Sequence, residues 1–163
     1  MRKIKKKFKK PREPWDKERM DREDAFMKTF GLRRKHEIWK AESILRDLRR
    51  RARNLAAKRD KVQEKILLDK LFKMGLLNKD ASLDDVLSLT VENVLERRLQ
   101  TMVLRKNLAN TPKQSRQLIT HGHIAVEDRK IVYPNFMVSR GLENKISLYS
   151  GSKIKVVKPK IGD

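Results

Sequence analysis

Lys113, Arg116, Gln117 and Thr120 stand at i, i+3, i+4 and i+7 within TPKQSRQLITHGHIAV, residues 111–126. On a helix that spacing gathers them into one ridge. A lysine, an arginine fork and an amide in a row suit contact with phosphate oxygens and base edges. Ser115, Leu118 and Ile119 fall on the opposite side and can pack on the preceding helix. Thr111 is a good cap, Pro112 suits the first helical position, and Gln114 completes a capping box. Gly122 supplies the left-handed stop and lets a phosphate or sugar come near backbone amides. His121 and His123 lie two apart, a spacing at which two imidazoles can share a metal ion. The third histidine, His36, is remote and no thiolate is present, so no metal is expected. Their expected role is donation to phosphate or stacking on a base.

Two further basic sets accompany this ridge. Arg98 and Arg105 are seven apart with Thr101 between them, and Arg97 sits beside them. Upstream, Arg46, Arg49, Arg50 and Arg53 recur at three and four, interrupted only by Asp47. Both sets are candidate phosphate contacts. Catalysis has little to work with. Asp84 and Asp85 read as helix-start acids, and Ser115 and Ser139 have no identifiable base. Neither a GxxxxGK loop nor a GxSxG elbow occurs. No enzyme activity, cofactor or small-molecule substrate is expected.

The charge balance agrees. The 163 residues carry a formal net charge of +21, so a polyanionic partner is expected to offset the self-repulsion. Nucleic acid comes first, because each basic contact releases condensed counterions. No membrane association is expected, since no broad apolar face accompanies the charge and no apolar run could span a bilayer. MRKIKKKFKK has no apolar core region and reads as a basic arm rather than a secretory signal. With no cysteine, disulfides and thiolate metal sites are excluded.

The ridge must be positioned by an α+β fold. Helices are expected over about 15–30, 35–58, 61–74 and 91–107, with a capped single turn at Ser82. The third carries Ile66, Leu67, Leu71 and Phe72 as its apolar set. Beyond Gly122 the period changes to two. HIAV and KIVY are one strand pair, and KISLY and KIKVV another. The expected organisation is a basic extended arm (1–14), a helical RNA-binding region (15–89) and a compact unit (90–163). In the last, two helices pack on a small antiparallel sheet.

LERRLQTMVLRKNLANTPKQSRQLITHGHIAVEDRKIVYP resembles the RNA-binding domain named after the universal small-subunit ribosomal protein S-four. The matching motifs are the ERRL helix (96–99), the T-x-x-Q-x-R-Q-L helix (111–118) and the HGHI turn (121–124). The same domain occurs in pseudouridine synthases, a type of tyrosyl-tRNA synthetase and a small heat-shock protein. PREPWDKERMDREDAFMKTFGLRRKHEIWKAESILRDLRRRAR resembles the first half of the archaeal and eukaryotic branch of the S-four family, which those enzymes lack. The chain stops at KIGD without the long basic tail of eukaryotic members, which points to an archaeal one.

That resemblance implies a cytoplasmic structural protein of the small ribosomal subunit. It would bind a multi-helix junction in the 5′ region of the rRNA, nucleate assembly and support translational accuracy. It would sit near the mRNA entry path beside the S-five and S-three proteins. Carried over by position, the RNA-facing residues are Arg97, Arg98, Arg105, Gln114, Arg116, Gln117, His121, Gly122 and His123. On that basis, loss of Arg98 or Arg116 should flatten the salt dependence by about one phosphate each. Two departures stand out. Many bacterial members have arginine where this chain has Pro112, so one contact passes to Lys113 or is lost. The hairpin turns on Glu127-Asp128 rather than Asn-Gly, so a looser tip is expected. The alternative is a non-ribosomal RNA-binding factor carrying the same domain.

Overall fold

The computed structural model describes residues 7–152. The expected strand KIKVV therefore lies outside the described residues. Seven helices and a small sheet follow in order: α1 (Lys17–Phe30), α2 (His36–Lys58), α3 (Lys61–Lys73), α4 (Leu83–Ser88), α5 (Val91–Glu96), α6 (Leu99–Arg105), α7 (Pro112–Thr120), β1 (Ile124–Val126), β2 (Arg129–Lys130), a 3-10 helix (Arg140–Lys145) and β3 (Ile146–Leu148).

Local chemistry sets most of these ends. Asp16 caps α1 by accepting from the Arg19 amide, and Asp60 caps α3 by accepting from Val62 and Gln63. Ser82 and Asp85 close a reciprocal capping box on α4, as Thr90 and Asn93 do on α5. The three-and-four pattern of α2 buries Ile38, Ala41, Leu45, Leu48 and Ala52. Against that stripe pack Leu67 and Leu71 of α3, Val86 of α4 and Val94 and Leu95 of α5, forming the first core. Ile66, expected among the apolar contacts of α3, is 55% exposed beside Val62. Position 66 lies one residue off the Leu67–Leu71 stripe, so the helix turns it to solvent.

The second core begins at Leu99. It joins Val103 of α6 and Leu118 and Ile119 of α7 to Ile124 and Val126 of β1, with Val138 and Ile146. The sheet order is β2-β1-β3, antiparallel throughout. KIVY forms a strand only at its start. Ile131 still donates to the Ile124 carbonyl, but Tyr133 then turns through Pro134, and Phe136 donates back to Tyr133. Proline has no N–H to give a ladder, so the run ends there.

Two further expectations are corrected. The helix foreseen over 91–107 is broken into α5 and α6. Arg98 takes an extended backbone (ψ 145°) and bridges Met137, while Leu99 donates to Phe136 and Val138 donates to Arg97. The returning segment 136–138 thus replaces one turn of helical hydrogen bonding. The hairpin tip is also tighter than expected. Val126 pairs with Arg129, so the loop is only Glu127-Asp128, both at positive φ (52° and 64°). That is the backbone sense that matches strand twist. Aspartate tolerates it; Glu127 is held there by the hydrogen bond its backbone N–H donates to the Lys145 carbonyl and by its side-chain ion pair with Lys145.

The two cores meet at a polar seam. Gly31, at φ 59°, ends α1 in the left-handed region, and a Cβ there would lie 2.6 Å from Pro112 Cβ at the start of α7. Gly31→Ala should therefore lower stability by more than the roughly 1–2 kcal/mol of the conformation alone, checked by urea titration. Beside it, Gln100 is buried and its Nε2 lies 2.9–3.1 Å from the carbonyls of Phe30, Gly31 and Pro112. Three acceptors around one atom identify it as the amide nitrogen. Gln100→Leu keeps the volume but strands those carbonyls, at an expected cost of about 1–3 kcal/mol, read as a lower denaturation midpoint.

Candidate nucleic-acid interface

α7 is built as its residues dictate. The Thr111 side chain accepts from the Gln114 amide at 3.1 Å, and Pro112 occupies the first turn. The Gln114 side-chain oxygen accepts from the Asn110 backbone N–H, one residue farther back than a standard capping box. Ser115, Leu118 and Ile119 are buried, while Lys113, Gln117 and Thr120 are exposed with His121 just beyond. Arg116 is the exception on that ridge. Its guanidinium meets Glu37 of α2 through two nitrogens, at 3.0 and 3.1 Å.

Glu37 is the hub that the sequence pattern did not disclose. Besides Arg116 it accepts from Arg98 at 2.5 Å and from the Arg33 amide at 3.3 Å. It also lies in the first turn of α2, where the helix dipole favours an anion. Arg98 is 5% exposed and also donates to Asn135. Burial pushes the Glu37 carboxyl up, but the combined pull of Arg116 and Arg98 outweighs it, leaving its pKa below the ordinary 4.5. For Arg98, burial pulls the guanidinium down and Glu37 opposes that pull. The pair is charged at neutral pH.

Other expected contacts are likewise committed inside the protein. Arg97 donates to the Val138 carbonyl at 2.8 Å and pairs with Glu143 at 2.6 Å. Arg49 donates to the Leu89 carbonyl at 2.6 Å. The Gly122 turn offers no free amide: Gly122 donates to Ile119 and His123 to Leu118. What lies over Gly122 is the Lys130 side chain, whose Cε would be 1.9 Å from an added Cβ. Lys130 was not among the expected contacts, and only its place across the β1–β2 hairpin reveals it.

What remains open to solvent is a smaller, better defined set. Arg46, Arg50 and Arg53 are exposed along α2, Arg50 pairing at 3.3 Å with the equally exposed Asp47. Arg105 is exposed and paired with Glu96 at 2.6 Å. Exposed pairs of this kind are worth little and can open to a phosphate. His121 and the half-buried His123 have ring centres 6.3 Å apart, and His123 Nδ1 meets the Ser152 hydroxyl at 3.0 Å. Among the described residues no three His, Cys, Asp or Glu side chains cluster to hold a metal ion. Nor, among them, is any helix long and apolar enough to cross a membrane.

The break between α5 and α6 coincides with a boundary between two family patterns. Residues 2–96 match the model described as ribosomal protein S4/S9 N-terminal domain, and residues 97–144 match the S4 domain. The small ribosomal subunit protein uS4 of Sulfolobus acidocaldarius is 48% identical over 99% of this chain and 94% of that protein. The chain belongs to the uS4 family. The uS4 proteins of Saccharolobus solfataricus and Methanothermobacter thermautotrophicus are 49% and 46% identical, each over 94% of this chain and over 87% and 92% of their own lengths. As in this uS4-family chain, the similarity runs through the helical half as well as the S4 domain. These relatives are named for the ribosomal subunit, none for an enzyme.

Proposed function

We propose that this protein is a structural component of the small ribosomal subunit and binds its rRNA through two exposed surfaces. One is the arginine ridge Arg46, Arg50 and Arg53 on α2. The other comprises Lys113, Gln117, His121, His123 and Lys130 at the end of α7 and the β1–β2 hairpin, with Arg105 beside it. Arg97, Arg98, Arg116 and Arg49 serve chiefly to position these surfaces. The observation that carries the reading is the match to uS4 proteins across both halves of the chain. A shared S4 domain alone would fit several kinds of protein, but the helical half is particular to the subunit protein.

The rRNA target is the multi-helix junction of the 5′ region, where binding would nucleate assembly. The same position would place the protein near the mRNA entry path, beside the S-five and S-three proteins, in the cytoplasm. The reading is tested by sedimentation of cell extracts. A structural component stays with the small subunit through a high-salt wash, whereas a dissociable RNA-binding factor leaves it.

A further inference from the structure

A cleft of about 280 Å³ opens between α2, α5 and the returning segment around Asn135 and Met137. Its walls are apolar, from Ala41, Ile44, Leu95 and Met137. Two buried charged groups line it, Glu37 and Arg98, and the Arg98 Nε is a buried donor with no acceptor. The lining that reaches solvent includes the cations Lys7 and Lys40, with His36 and Asn135 beside them. Phe8 also lines it, its ring stacked on His36 with centres 5.7 Å apart and 23° between planes. Residues 8 and 9 of the basic arm are therefore laid against α2 here, with the Lys9 amide 3.4 Å from the Ser43 hydroxyl.

We propose that this cleft takes one unstacked nucleobase of the bound RNA, its phosphate meeting Lys7, His36 or Lys40; the proposal rests on the rRNA-binding reading above. The volume admits a base and part of its sugar. The walls suit a planar apolar face, and Phe8 adds an aromatic surface of the kind on which bases stack. A base edge carries ring nitrogens and carbonyls that can accept from the side-chain amide of Asn135, exposed on the lining with its oxygen already taken by Arg98. An aliphatic side chain from a neighbouring protein would leave that donor without an acceptor. The cationic rim further favours an anionic chain over a peptide.

The test uses the full chain and the 5′-region fragment of small-subunit rRNA. Base reactivity along the RNA is mapped with dimethyl sulfate and a carbodiimide, for wild type, Ile44→Phe and Phe8→Ala. Ile44→Phe fills the cleft, and Phe8→Ala removes the stacking surface from the arm without touching either core. The expected result is one nucleotide, or two neighbours, whose Watson–Crick edge is protected by wild type and becomes reactive with each variant, while the rest of the footprint stays. Affinity should fall about tenfold with Phe8→Ala. If Ile44→Phe does not fold, Phe8→Ala alone decides. Unchanged reactivity and affinity with the folded variants would overturn the cleft proposal while leaving rRNA binding standing. Absence of any specific wild-type footprint would instead overturn the rRNA-binding reading itself.

Discussion

Replacing Glu37 by alanine is expected to lower folding stability by about 3–5 kcal/mol. The change removes the one carboxylate shared by Arg98 and Arg116 and leaves the 5%-exposed Arg98 charged and buried. The penalty is mainly that uncompensated charge, since the net worth of an intact buried pair is small. A urea titration by circular dichroism reads it as a lower midpoint with an unchanged slope. The same network predicts an acid sensitivity. The Glu37 pKa is depressed in the folded protein, so its contribution is fully present above the ordinary 4.5 and is lost as pH falls through the folded value. Stability of the wild type should therefore drop below about pH 4.5 more steeply than that of Glu37→Gln. Parallel pH profiles would show that Glu37 is not the titrating group.

Changing Arg46, Arg50 and Arg53 together to glutamine is expected to leave stability nearly unchanged and to flatten the salt dependence of RNA binding by about three, roughly one per phosphate contact. All three are exposed, and none holds another element. Arg98→Ala should behave in the opposite way: a large loss of stability, with little change of salt slope in the fraction that remains folded. Its guanidinium is 5% exposed and has Glu37 and Asn135 as partners, so its main role is internal. The contrast separates side chains that meet RNA from those that hold the surface in place. A triple variant with an unaltered slope would demote the α2 ridge to solvated charge.

The caps of α7, its buried Ser115–Leu118–Ile119 face and the stripe of α2 depend on neighbours within one or two turns, so spacing reveals them. The break at Arg97–Arg98 does not. Nothing local forbids a helix through ERRL; the chain bends because Met137, far along the chain, bridges Arg98 and because Glu37 waits for its side chain. An arginine on a basic helix reads as surface until its distant carboxylate is located. The same applies to Gly122, whose amides looked available but are spent closing α7, and to Lys130, which only the hairpin brings there. The tight turn at Glu127-Asp128 was hidden for a related reason, since Lys145, at the end of the 3-10 helix far along the chain, stabilises it. The family resemblance placed the S4 domain where residues 97–144 match its pattern. Among its individual positions, the geometry favours Gln117, His121 and Arg105 as reachable contacts and gives Arg97, Arg98 and Arg116 internal partners.

Central to this account is site-specific recognition of small-subunit rRNA rather than attraction of a +21 chain to any polyanion. The direct measurement is binding of the purified protein to the 5′ region of its small-subunit rRNA and to an unrelated structured RNA, titrated at several salt concentrations. The expected result is a preference of about a hundredfold or more, roughly 2.7 kcal/mol, that persists as salt rises. Equal affinities that fade together with salt would contradict it, because charge alone binds that way.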